Sequence, residues 1–392
     1  MIGRAALVLV PGLLLWSGGP AAADAVRDKQ QPVLNGLNVP AAWAMTRGAG
    51  VTVAVLDSGV DPAQPDLAGS VVEGPDLTEG ANPPGVAPQR LHGTNMASII
   101  AGHGHGPGGA DGVMGVAPEA RILALRVILE NSEPGFTTYN TDKRYDRVIA
   151  DGIRYAADHG AQIINMSLGK PIPTREERQA IAHAVAKGVV VVAAAGNEGA
   201  SKTAKKNGNA PYSFPASFPG VISVAAVDSE HRHAGFSNEN SAVVVSAPGV
   251  DIVGAGPGDS YWIGDGTSPA TAFVSGVAAL IRARHPSLAP ALVTQAIITS
   301  AAHRPASGYS LAVGFGEVDA AAALRTADTL ATTRLNGLGA APGAPLLPAA
   351  PLQVTHHDTR LIVTSALTGL IALAATVATA LLAVRRPREE EL

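Results

Sequence analysis

Four short segments carry residue types that can do nucleophilic chemistry. In the first, Val53-Ala54-Val55-Leu56-Asp57-Ser58-Gly59, an apolar run ends on an acid. As a buried strand of a parallel sheet it would deliver Asp57 to the C-terminal edge, where α/β sheets build their sites. Many α/β proteins end a strand on Asp, phosphate and metal binders among them, so Asp57 by itself assigns nothing. The second, Leu91-His92-Gly93-Thr94-Asn95-Met96-Ala97, puts a histidine at the start of a helix of small and apolar residues. A lone histidine there is more often a cap than a catalyst, although Gly93 beside it permits close approach of another backbone. The third, Gly264-Asp265-Gly266-Thr267-Ser268-Pro269-Ala270-Thr271-Ala272-Phe273-Val274-Ser275-Gly276, turns a Gly-rich loop into an apolar helix with Ser268 at its N-terminus. Free backbone N–H groups and the helix dipole favour developing negative charge at such a point. Pro269 suits an early helical position, because the N–H it lacks would have no intrahelical partner. Taken alone, Ser268 reads equally well as an N-cap. The fourth segment is Ala195-Gly196-Asn197-Glu198-Gly199, which follows an apolar run. Its Asn197 carboxamide can donate to an oxyanion alongside the Ser268 backbone N–H.

These residues need elements to hold them. Continuous apolar or β-branched runs predict strands at 51–56, 121–127, 162–166, 189–194, 221–227 and 243–246. Such runs fit strands covered on both faces. Helical patterns lie between and after them, at 143–159, 174–187, 268–284 and 288–301. Thr174 followed by Glu177 has capping-box spacing, and Gly188 is placed to stop that helix. The alternation predicts an α/β fold of three layers around a mostly parallel central sheet.

Composition narrows the chemistry. Of 392 residues 46% are hydrophobic and 15% charged, and the formal net charge of -4 gives no reason to expect nucleic acid as a partner. There is no cysteine, which excludes thiol catalysis, disulfides and cysteine-ligated metals. Residues 1–23 have the form of a secretory signal: Arg4, an apolar run over 5–16, a break at Ser17-Gly18-Gly19-Pro20, then Ala21-Ala22-Ala23. An N-terminal extension over 24–45 follows. Its part at 24–40 is polar, expected to be extended, and too short for a folded inhibitory pro-domain. A single domain is expected over 46–325 and a Pro/Ala-rich tether over 326–360. Residues 361–384 contain no charge and, as a helix, would reach about 36 Å, enough for a bilayer core of about 30 Å. Arg385, Arg386 and Arg388 in the tail at 385–392 would stay in the cytoplasm, so the folded part would face outward.

The order Asp57, His92, Ser268 is that of the subtilisins, and Gly-x-Ser-x-Gly is absent because Ala270 stands where its second glycine would be. The four segments resemble the signature blocks of the subtilase family, over roughly residues 39–324. Gly115-Val116-Ala117-Pro118 and Ile164-Asn165-Met166-Ser167-Leu168-Gly169 are similar to two further blocks. The resemblance implies a subtilisin-like fold and peptide-bond hydrolysis through an acyl-enzyme. It makes Ser268 the nucleophile, His92 the general base and acid, Asp57 the group that orients the imidazolium, and Asn197 the oxyanion donor. Ser167, Leu168, Gly169, Ala195 and Gly196 would bind substrate. Where subtilases continue with Met or Phe, two small residues and Pro, this chain has Pro269-Ala270-Thr271-Ala272, a departure that bears on how the serine helix packs.

The layout of signal, subtilase domain, tether, apolar helix and basic tail resembles the mycosins, actinobacterial proteases attached to type VII secretion systems. That implies a polypeptide substrate, membrane attachment and a secretion complex as partner. The alternative is a catalytically dispensable subtilase scaffold that caps or braces such a complex. No cofactor or metal is expected. Some subtilases bind structural calcium, for which Asp61 and Asp111 are candidates without a ligand set. His103 with His105, and His231 with His233, lack a third histidine or a carboxylate at useful spacing. Gly104-His105-Gly106-Pro107-Gly108-Gly109 has dinucleotide-loop spacing without the flanking strand and helix.

Overall fold

Eleven strands and ten α-helices form among the described residues, 23–207 and 210–337 of a computed structural model. The chain opens on α1 (Ala23–Gly36) and α2 (Val39–Trp43), then enters β1 (Thr52–Asp57), β2 (Val71–Asp76) and α3 (Leu91–Ala101). A small hairpin, β3 (His103–His105) and β4 (Asp111–Met114), leads to β5 (Arg121–Arg126), α4 (Phe136–Thr141) and α5 (Val148–Asp158). Next come β6 (Ile163–Met166), α6 (Arg175–Ala186), β7 (Val190–Ala194), α7 (Lys202–Asn207), β8 (Val221–Val227) and β9 (Val243–Pro248). A second hairpin, β10 (Ile252–Gly256) and β11 (Ser260–Gly264), precedes α8 (Thr267–Arg284), α9 (Pro290–Ser300) and α10 (Ala320–Gly337).

The apolar runs pair into one seven-stranded sheet in the order β2-β5-β1-β6-β7-β8-β9. Every neighbouring pair is parallel. Side chains alternate between faces along a strand, and here both faces are covered. Val53 and Val55 of β1 join Ile99 and Ile100 of α3 and Phe273 and Val277 of α8 in one core. Ala54 and Leu56 point the other way, toward Ile149 and Ile153 of α5 and Ile181 of α6. The expected three-layer architecture is therefore present. From Thr267 to Arg282, α8 is buried on all sides, the pattern of a core helix. Gly276 lets it approach closely, since a Cβ there would sit 2.5 Å from the Val116 Cβ.

Several expectations need correction. Residues 24–40 are not extended but lie in α1 and α2. Val26, Gln30, Leu34 and Leu37 recur every three or four residues and are all buried, a stripe that the intervening charged and polar residues obscure in the sequence. Pro32 lies inside α1 and costs about 3 kcal/mol there. Each buried Leu or Val returns about 1.5–3 kcal/mol, so packing wins. Arg27 then donates to the carbonyl oxygens of Gly109, Asp111 and Gly112 in the β3–β4 hairpin. At the other end α10 continues past residue 325 to Gly337, through positions expected to belong to the tether; Leu324 and Ala327 are fully buried. Thr174 does cap α6 by accepting from the Glu177 N–H, but the Glu177 carboxylate pairs with Lys170 Nζ at 2.5 Å instead of closing the box. The sequence pattern also misses β2, an edge strand containing Gly74 and Pro75, and both hairpins. The tether beyond 337, the anchor at 361–384, the tail at 385–392 and all of the expected signal except Ala23 lie outside the described residues. Among the described residues no helix is long and apolar enough to cross a membrane.

If α1 is an integral part of the core, Leu34→Ala should lower stability by about 2–5 kcal/mol, the usual cost of truncating a buried leucine. Urea unfolding measures this, and an unchanged midpoint would show that the helix is not docked in solution.

Candidate active site

Asp57 ends β1 and is completely buried. Its main-chain carbonyl accepts from the N–H groups of Val127 and Ile128, which pins the strand end. On the side chain, Oδ1 accepts from the Ser58 N–H at 2.7 Å and lies 2.7 Å from His92 Nδ1. His92 reaches it because the first turn of α3 abuts the end of β1: a Cβ on Gly93 would fall 2.1 Å from the Gly59 carbonyl oxygen. The free N–H groups of that turn are satisfied from outside the helix. His92 N–H donates to the Glu130 carboxylate at 2.8 Å, and Gly93 N–H to the Ser58 hydroxyl at 3.1 Å. Burial acts to lower the His92 pKa, but the charge and hydrogen bond of Asp57, with Glu130 behind it, outweigh burial and raise it above 6.5.

Ser268 sits in the first turn of α8, which packs against α3. Its Oγ donates to the Ser167 carbonyl at 3.2 Å, while the Ser167 Oγ donates to the Ser268 carbonyl at 3.0 Å. Ser167 follows β6 directly, and β6 is the neighbour of β1. A buried chain of polar groups continues inward: Asn165 donates to the Ser167 Oγ and accepts from the Ser275 Oγ, about two turns along α8 from Ser268. In the segment that departs from the family pattern, the Thr271 hydroxyl bonds the Thr267 carbonyl at 2.7 Å, and Ala270 and Ala272 are fully buried.

Asn197 stands at the end of β7, next to β6. Its Oδ1 accepts from both the N–H and the hydroxyl of Thr267, each at 2.9 Å. The oxygen is thereby committed, and Nδ2 is left as the donor beside Gly266, where an added Cβ would be 3.4 Å away. Gly196 takes φ +106°, a conformation that glycine adopts without strain. Ser167, Leu168 and Gly169 line one side of this edge and Ala195 and Gly196 the other, as the ends of adjacent strands. All nine residues singled out by the sequence thus lie along one edge of the sheet. The two calcium candidates lie in separate segments. Asp61 accepts from the N–H groups of Ala63 and Gly258, tying down the β10–β11 turn, and Asp111 backs Gly106 in the β3–β4 hairpin.

The profile of the subtilase family matches residues 48–316. The chain belongs to the subtilase family. Among other subtilases, a thermophilic serine proteinase of Bacillus sp. (strain AK1) is 42% identical over 241 residues, 61% of this chain and 54% of its own. The chain therefore matches about half the length of that relative. The serine protease MycP1, described as an essential component of the type VII (ESX-1) secretion system, superposes with a TM-score of 0.63 at 30% identity. That superposition covers 79% of this chain and 94% of MycP1. The MycP3 protease from the type VII (ESX-3) secretion system gives 0.61 at 33% identity, over 79% and 90% of the two chains.

Five residues that position this subtilase site were not singled out by the sequence: Ser58, Glu130, Asn165, Thr267 and Ser275. Four of them, Ser58, Asn165, Thr267 and Ser275, lie within a motif and could have been suspected from that alone. Glu130 acts through a contact across the fold and carries no local signal.

The His92 imidazole should titrate above 6.5 by NMR, and Asp57→Asn should bring the midpoint down. The sign follows from the cause: the folded state binds this proton more tightly than the unfolded chain. The associated stability is complete below pH 6.5 and is lost as pH rises through the folded value. A midpoint at or below 6.5 in the unmodified protein would remove Asp57 as the dominant partner.

Proposed function

We propose that this subtilase is a serine endopeptidase whose nucleophile is Ser268. The observation that carries the reading is the 2.7 Å contact between Asp57 Oδ1 and His92 Nδ1, one strand away from the serine-bearing first turn of α8. With Nδ1–H held by Asp57, the imidazole presents Nε2 as a base. The Ser268 hydroxyl leaves the Ser167 carbonyl by rotation about χ1 and gives its proton to Nε2 as Oγ attacks the scissile carbonyl carbon. Catalytic hydrogen bonds commonly tighten only when substrate is bound. Negative charge on the tetrahedral oxygen meets Asn197 Nδ2 and the Ser268 N–H, both oriented before the reaction. Asp57 stabilises the imidazolium, which then protonates the leaving amine. Water resolves the acyl-enzyme by the same path in reverse. Ser167 to Gly169 and Ala195 to Gly196 hold the peptide.

A fluorophosphonate probe should label Ser268, and Ser268→Ala should abolish both labelling and peptide hydrolysis with the fold intact. Asn197→Ala should cut kcat about 10²–10³-fold with little change in KM, a magnitude carried over from a subtilisin donor. Turnover retained by Ser268→Ala would end the assignment.

The enzyme works outside the cell, held to the membrane by residues 361–384 and associated with a type VII secretion system. The likeness to MycP1 and MycP3 and the uncharged run followed by three arginines support this. Truncation before residue 359 should release active enzyme into the medium and impair type VII secretion, read by immunoblot of culture fluid. Secretion unaffected by the truncation would remove the secretion role. Secretion restored by full-length Ser268→Ala would assign that role to the scaffold and not to proteolysis.

A further inference from the structure

His231 and His303 are far apart in sequence, and the expectation that His231 lacks a carboxylate or further histidine holds only along the chain. In three dimensions it has both. His231 lies in the turn after β8, and His303 in the segment after α9. Between them stands Glu317, whose backbone exchanges hydrogen bonds with Ala302 at 2.7 and 2.8 Å. Its neighbours Gly316 and Val318 bond both sides of Ser246 in β9, so the acid is fixed against the sheet edge beside His303. The Glu317 side chain is only 4% exposed, whereas that of His231 is 38% exposed. His231 Nδ1 lies 2.7 Å from Glu317 Oε2, and the two imidazole rings stack 3.7 Å apart. One ligand atom from each of the three residues falls within 4.8 Å of the others. Both histidines have left-handed backbones, φ +63° and +46°, a conformation that residues other than glycine seldom adopt. Burial is the largest influence on the Glu317 carboxyl and raises its pKa against the opposing pull of His231 and His303. The buried acid is thus under-compensated by the groups around it.

We propose that His231, His303 and Glu317 form a binding site for a divalent transition metal, with Zn²⁺ the best match, which staples three segments of a chain that has no disulfides. Two imidazoles and one carboxylate are a ligand set that zinc takes readily, with its fourth position left to water. Calcium and magnesium require a shell of oxygens, which this cluster does not supply. A cation at this point would balance the charge of the buried Glu317 carboxylate directly. Binding displaces the proton between His231 Nδ1 and Glu317 Oε2, and the stacked rings must tilt apart so that one nitrogen of each faces the ion. The site lies at the β9 side of the sheet, separated from the Asp57 strand by β6, β7 and β8.

The test is isothermal titration of the chelator-stripped full chain with zinc chloride alone, in a Ser268→Ala background that prevents self-digestion. One zinc per chain is expected, with a rise in melting temperature. His303→Ala, at an exposed side chain, and Glu317→Gln, a neutral isostere, should each weaken binding at least about 10-fold, since even outer-shell losses cost 10–100-fold. His92→Ala should leave the affinity unchanged, which separates this site from the catalytic imidazole. If Glu317→Gln fails to fold, His303→Ala decides the matter. No zinc binding, or binding that survives His303→Ala, would overturn the proposal and leave a proton as the only bridge between His231 and Glu317.

Discussion

A sheet whose strands all run one way gathers every strand C-terminus along a single edge. With β1, β6 and β7 adjacent, that geometry brings Asp57, Ser167 and Asn197 together although long stretches of chain separate them. The helices complete the arrangement only because they approach the edge very closely. Gly93 allows α3 to rest on the Gly59 carbonyl, and Gly276 allows α8 to pass against Val116. A methyl group at either point would collide with neighbouring atoms and push His92 or Ser268 away from the edge. The site therefore depends on the parallel sheet first and on two glycines second.

Position within the edge is then set by buried polar contacts between strand ends and helices. The Ser275–Asn165–Ser167–Ser268 chain fixes the roll of α8 relative to β6. Leaving any of these groups unpaired would cost about 1–3 kcal/mol, so the helix has one favourable setting. Glu130 does the same for α3 by capping its first turn, and its charge also adds to the proton affinity of His92. Among the described residues Asp57 Oδ2 is buried with no hydrogen-bond partner. The charge of Asp57 and its hydrogen bond to the imidazole favour a protonated His92. Structure and electrostatics are coupled at this point, because the Asp57 carboxylate that binds the first turn of α3 through His92 also raises the proton affinity of that imidazole.

The sequence by itself determined the strands buried on both faces, since continuous apolar runs have few other stable fates. It also displayed the chemically able residues, because Asp57, His92, Asn197 and Ser268 each sit at a strand end or a helix start marked by glycines. It did not reveal β2, β10 or β11, whose edges and turns break the apolar pattern with Gly, Pro and exposed side chains. It concealed the buried stripe of α1 behind charged neighbours. Tertiary structure alone decided which residues became partners: Thr267 with Asn197, Glu130 with the His92 backbone, and His231 with Glu317 and His303. The reason is physical. A residue's propensity and spacing act over a few positions, whereas a hydrogen bond or a ligand set depends on which strand ends become neighbours. The order β2-β5-β1-β6-β7-β8-β9 arises from packing the whole chain and from no segment of it.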